Sequence, residues 1–214
     1  MNIAKVIRPV AGIVAAVLVV GAMILTTTWV APGTTPSAGG DAQGLDPKTW
    51  AQQNYDAKVV PAVKDKAQPW ADLAKAIVAD PNAAGAQFGQ KEEGANNFSY
   101  ATTVTGTLAE GTLGVMTIKA EGTPDGVNLG VAVGPAITTS ALRDVTGLVT
   151  FGMFQNQGAY QQASTELNNM VKAEVLAKFD AAGAAGKSYT ITGAFTWDGT
   201  KNVVLTPISI EAAA

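Results

Sequence analysis

Arg143 and Asp144 adjoin each other, and Asn156, Gln157 and Tyr160 follow close behind. A guanidinium fork grips a carboxylate or a pair of sugar hydroxyls, so Arg143 is a candidate for ligand or partner contact. The other reading is an internal ion pair with Asp144 that fixes this part of the chain. In an extended segment the two side chains would point to opposite faces. Asn156 and Gln157 carry amides that both donate and accept, which suits a polyhydroxylated ligand, although Asn156 also fits a helix cap. Tyr160 lies one helical turn on and shares the face of Asn156; core packing with a hydrogen-bonded hydroxyl is its alternative role. Asn168, beside Leu167, suits a polar pocket rim or a bond to a neighbouring loop. Trp197 follows Phe195 at period two, so it either stacks on a sugar or partner or packs in a core. These seven residues are the candidate binding set.

The absent residues narrow the chemistry further. The 214-residue chain contains no cysteine and no histidine. Thiolate nucleophiles, disulfides, the usual zinc sets and the usual general base near neutral pH are therefore excluded. An oxygen-only calcium or magnesium site is still open to this composition, but no DxDxDG-like loop occurs in the sequence. The net charge of -3, from 14 basic and 17 acidic side chains, leaves no basic field for a nucleic acid backbone. Asp144, Glu166 and Glu174 are the carboxylates to weigh for acid–base work. Glu166 and Glu174 fall on one helix at ordinary surface spacing, and a glycosidase needs carboxylates converging across a cleft. The chain therefore reads as a non-enzyme with no cofactor and no metal.

The elements that must position these residues begin after a long apolar leader. Pro9 through Val30 carries no charge and follows Lys5 and Arg8. As a helix it measures roughly 30 Å, enough to cross a bilayer. Neither small-x-small cleavage point is good, because Ala31 has Trp29 and Ala38 has Pro36 two residues before it. A retained membrane anchor over 1–30 is the leading expectation, with a cleaved leader and a buried globular helix as alternatives. The charge order puts the C-terminal part outside the cytoplasmic membrane. Residues 31–44, APGTTPSAGGDAQG, read as a flexible tether.

A helical arm is expected over 45–97. Asp46 is placed to cap a helix, and Pro47 fits its first position. Trp50, Tyr55, Val59 and Val63 recur at helical spacing, with a kink or break at Pro61. Trp70 to Val78 predicts a second helix with Trp70, Leu73 and Ile77 as its stripe, and Asp80-Pro81 ends it or starts another turn. From 98 to 214 the period changes. Phe98 to Thr105, Leu113 to Ala120 and Val127 to Val133 predict three strands, with a bulge or close approach at Gly106. Gly158 to Phe179 predicts a long helix. Tyr189 to Trp197 and Val203 to Ile210 form a last pair around the Asp198-Gly199 turn. The fold class that follows is α+β: an N-terminal membrane helix and helical arm, then an OB-like five-stranded barrel with a helix between strands three and four that plugs its open end. A plain α+β sandwich is the competing architecture.

Several short motifs recur in a fixed order: Asp80-Pro81 with Phe88-Gly89, Val133-Gly134-Pro135-Ala136-Ile137, Ala141-Leu142-Arg143-Asp144, Phe151 through Asn156-Gln157, Tyr160, Leu167-Asn168, Gly186-Lys187 with Gly193-Ala194-Phe195, and Thr206-Pro207. Through them the chain resembles DUF2291, a family of predicted periplasmic lipoproteins of unknown function, over roughly Trp50 to Ile210. The resemblance implies no catalytic activity. It implies an accessory role beside sugar ABC transporter systems, with transporter components or a sugar as partners. The lipobox cysteine of the family is missing here, so cysteine-linked lipid is excluded, and the apolar leader would serve as anchor instead. The functional expectation is a membrane-tethered, extracytoplasmic, non-enzymatic binding module in the bacterial cytoplasmic membrane. Its alternative is a structural cell-envelope or assembly protein without a small-molecule ligand.

Overall fold

The β-branched and aromatic run Phe98–Ala109 forms the longest strand, β1, and its neighbours decide the architecture. The computed structural model describes residues 44–92, 94–134 and 137–213. Four further strands follow: β2 (Val115–Lys119), β3 (Asn128–Ala132), β4 (Ser188–Trp197) and β5 (Asn202–Ala212). β1 pairs antiparallel with β2 near its end, and with β4 from Phe98↔Trp197 to Thr107↔Ser188. β2 pairs antiparallel with β3, β3 runs parallel to β5, and β5 returns antiparallel to β4. The order β1-β2-β3-β5-β4 thus closes on β1. Closure removes the open edges, and the result is the OB-like barrel rather than the sandwich. The two-residue strand Gln68–Pro69 adds alongside β1 at Thr102 and Thr103.

Two glycines permit the tight parts of this closure. A Cβ on Gly106 would stand 2.6 Å from the Lys119 carbonyl oxygen, so the expected close approach is real. At Gly193, where the β4–β5 register shifts, a Cβ would stand 2.4 Å from the Thr206 carbonyl oxygen.

Alternating strand residues face inward as the period-two pattern requires. Val104, Leu108, Leu129, Val131, Ile191 and Leu205 are fully or almost fully buried in one cluster. The second half of the helical arm completes that interior. The arm comprises α1 (Pro47–Asn54), a π turn (Tyr55–Val59), α2 (Val60–Lys66), α3 (Trp70–Ala79) and α4 (Pro81–Phe88). Asp46 caps α1 through Thr49 N–H, and Asp80 caps α4 through the N–H groups of Asn82 and Ala83. Near Pro61 the helix is interrupted by the π turn rather than broken, and Pro61 sits in the first turn of α2, where its missing N–H costs little.

Two expectations about the helices need correction. Trp70, Leu73 and Ile77 of α3 join the barrel-interior cluster, with the Trp70 ring edge-on to Phe195 at 6.0 Å. The helix after β3, α6 (Gln157–Glu174), instead buries its stripe in a second core with Trp50 and Tyr55, against the outward-facing Ala101, Ala194 and Ile208. The arm, rather than that helix, supplies the plug. Trp70, the bulkiest side chain of α3, takes that place against Phe195 among the inward-facing strand residues. The long helix also stops at Glu174, followed by a 3-10 turn over Leu176–Lys178.

The segment holding Arg143 is not extended. It forms α5 (Ala141–Thr146), closed by Gly147 at φ 65°. Its apolar residues Ala141, Leu142 and Val145 are buried. At about 1.5–3 kcal/mol per large aliphatic side chain, that burial outweighs the weak helix propensity of so short a segment. Lys66 Nζ donates to the carbonyls of Val145 and Thr146 at 2.8 and 3.1 Å and satisfies the helix end.

The membrane reading is corrected as well. Among the described residues no helix is long and apolar enough to cross a membrane. The longest, α6, carries Glu166, Lys172 and Glu174 and buries only one stripe. The transmembrane element, the membrane as a partner through it, and the single-pass localisation are therefore no part of the fold described. The expected anchor over 1–30 and the tether up to residue 43 lie outside the described residues.

Candidate functional site

α5 and the start of α6 bring Arg143, Asp144 and Tyr160 together. Arg143 is only 5% exposed. Its Nε and Nη2 both lie 2.7 Å from Asp144 Oδ1. Its Nη1 donates to the Tyr160 carbonyl at 3.1 Å, and its guanidinium carbon stands 3.7 Å from the centre of the Tyr160 ring. The second Asp144 oxygen accepts from Ser140 Oγ at 2.6 Å. A single helical turn thus carries the charge pair, and the neighbouring helix supplies an aromatic face for the cation.

A carboxylate that motif spacing did not single out completes the cluster. Glu92 accepts from the Tyr160 hydroxyl through Oε2, and from Phe151 N–H at 2.9 Å through Oε1. Its segment is held against β1 by paired backbone bonds between Gln90 and Ser99. Burial, reinforced by the Glu92 hydrogen bond, pushes the Tyr160 hydroxyl above its ordinary pKa, so it stays a neutral donor.

These groups border a cleft of about 570 Å³, within the size range of small-molecule sites. Gln90, Lys91 and Glu92 form one wall, and Asp144, Phe151 and Tyr160 another. Phe151 is 46% exposed and meets Tyr160 edge-to-face at 5.9 Å. The Lys91 ammonium lies over the Phe98 ring at 4.6 Å. The cleft therefore offers one exposed aromatic ring together with fixed carboxylate acceptors and an amide and ammonium that donate.

The other candidates sit elsewhere. Asn156 is the α6 N-cap, accepting from Ala159 N–H at 2.9 Å, and both it and Gln157 are exposed outside the cleft lining. Asn168 is about three turns further along α6 and borders a different cleft. Trp197 ends β4 and packs against the barrel-interior cluster. Among the described residues no group of His, Cys, Asp or Glu side chains is arranged to hold a metal ion.

The geometry can be set beside known proteins. An OB-fold protein from Thermotoga maritima MSB8, solved as a crystal structure, is similar in fold, with a TM-score of 0.62 and 19% identity. The match covers 80% of this chain and all of that one. No curated protein matches the chain. The family described as predicted periplasmic lipoprotein (DUF2291) matches residues 13–211. The chain belongs to the DUF2291 family.

Proposed function

We propose that this protein is a non-enzymatic accessory or binding module that serves sugar or solute uptake beside an ABC transport system. In this reading the Glu92–Asp144–Phe151–Tyr160 cleft holds a polyhydroxylated solute. The observation that carries it is the pairing of an exposed aromatic ring with hydrogen-bonding groups held in place by their own partners. Sugars present an apolar C–H face and a rim of hydroxyls, and such a cleft answers both. The transporter link rests on family resemblance.

The two carboxylates suit binding because each is fixed by the protein's own donors, Glu92 by Tyr160 and the Phe151 N–H and Asp144 by Arg143 and Ser140. Each keeps lone pairs that can accept from a ligand hydroxyl.

Titrating the full chain with a panel of pentoses and hexoses by calorimetry tests this reading. Saturable binding that Phe151→Ala weakens about tenfold or more supports it. Absence of binding across the panel, with no transporter component captured by crosslinking in cells, favours a structural envelope role.

A further inference from the structure

One and two turns along α6 from Tyr160, Ser164 and Asn168 stand four residues apart and share its buried stripe. They are 6% and 2% exposed. Both border a cleft of about 350 Å³ between α6 and the segment after β3. Ser164 Oγ and Asn168 Oδ1 are buried with no hydrogen-bond partner among the described residues. Two neighbouring orphans in one cleft are unusual, since buried polar atoms are nearly always paired.

Local bonding explains why the protein itself does not satisfy them. Asn168 Nδ2 donates to the carbonyls of Ile137 and Thr139, at 3.3 and 2.9 Å. Those two acceptors fix the amide so that Oδ1, a pure acceptor, is turned away from them. A helical serine usually donates to the carbonyl four residues earlier. For Ser164 that is Tyr160, whose carbonyl serves the helix ladder and also accepts from Arg143. Arg143 thereby leaves the Ser164 hydroxyl without its local acceptor.

We infer that this cleft is a second binding site, for a small neutral polyol. One ligand hydroxyl donates to Asn168 Oδ1 and accepts from Ser164 Oγ–H. Ser140, Gln161 and Thr165 line the same cleft and offer donors and acceptors to adjacent hydroxyls. No carboxylate lines it and Lys172 does, so a cationic ligand is repelled. The orphaned Asn168 Oδ1 calls for an uncharged hydroxyl donor, which an anion does not supply. No strand edge borders it either, so an extended peptide has no backbone ladder to join. The site is separate from the Tyr160 cleft and does not depend on that cleft's ligand.

The test is calorimetric titration of the full-length protein with glycerol, myo-inositol and D-glucose. The variants are Ser164→Ala, Gln161→Trp and Phe151→Ala. Ser164→Ala removes a hydroxyl that bonds nothing, so the fold should be retained. Gln161→Trp places bulk on an exposed position at the cleft mouth, and it carries the test if Ser164→Ala unfolds. The expected result is saturable binding of at least one probe that Ser164→Ala or Gln161→Trp weakens about tenfold and Phe151→Ala leaves unchanged. Failure of all three probes to saturate overturns the proposal. So does binding that survives both α6 variants. Binding lost only in Phe151→Ala overturns it too, while supporting the first cleft.

Discussion

Arg143 holds Tyr160 by two parts at once, its guanidinium lying over the ring and its Nη1 bonding the backbone carbonyl. The same guanidinium is clamped by Asp144 through Nε and Nη2. α5 and α6 are therefore fastened through one cation, and the cleft wall inherits its position from that fastening.

Arg143→Ala should destabilise the protein by about 3–5 kcal/mol, because it strands a largely buried carboxylate. Arg143→Lys should recover only part of the loss, since an ammonium cannot reproduce the fork onto Asp144 and the stacked plane on Tyr160. Urea unfolding of the three proteins measures this. A loss below about 1 kcal/mol for Arg143→Ala would place the pair among ordinary surface ion pairs.

The alkaline limb of stability should be governed by buried tyrosines. Burial raises the Tyr100 hydroxyl from 10.0 to about 12. It also raises Tyr55, with the nearby Asp56 and Glu174 charges adding to the effect, and Tyr160, helped by Glu92. A phenol whose folded pKa exceeds its unfolded one binds its proton more tightly when folded. Its stabilising effect is complete below the unfolded value and is lost as pH rises through the folded one. Stability should thus hold below about pH 10 and fall above it. Tyr160→Phe and Tyr55→Phe should each make that fall shallower, as read from urea midpoints at a series of alkaline pH values. An unchanged slope in both would refute the assignment.

The fold was more legible than the site because period and capping are local, whereas clefts are assembled from distant segments. Leu129 and Val131 show their inward face by alternation, and Asp46-Pro47 announces a helix start by side-chain chemistry alone, whereas Asp80-Pro81 fits an end or a start and Asn156 a cap or a ligand contact until the fold decides. Arg143 and Asp144 stand out in sequence as a pair, but their helix does not, since so short a helix leaves little periodic signal and forms through tertiary burial. Glu92 lies 68 residues before its partner Tyr160, and nothing in its neighbours marks it out. Phe151 was visible only as part of a family motif, because an exposed aromatic declares its neighbours only once the chain is folded. The exchange of plug between α3 and α6 was hidden for the same reason: both have apolar stripes, and only packing shows which one enters the barrel.

Gly193→Ala should destabilise the barrel by about 1–3 kcal/mol through overpacking. The new methyl would lie 2.4 Å from the Thr206 carbonyl oxygen and 3.0 Å from Pro207 Cα, both backbone atoms of a paired strand. Neither can rotate aside. Thermal unfolding of the variant checks this, and an unchanged midpoint would mean that the register shift at Thr192/Gly193 absorbs the methyl.

Leu113→Asn should have the opposite sign. Leu113 is the one non-glycine residue at positive φ among the described residues, at 56°, and it is 97% exposed. Its side chain therefore loses almost no packing when replaced. Gly114 follows at φ 77°, so the β1–β2 connection has two consecutive left-handed residues, the pattern for which Asn-Gly is favoured. Holding leucine there costs about 1–2 kcal/mol that asparagine largely avoids. The variant should melt higher than the parent, with the same urea dependence, because the exposed surface on unfolding hardly changes. A lower melting point would show that Leu113 packs on something in solution, and the loop tip would then be a contact surface rather than a strained turn.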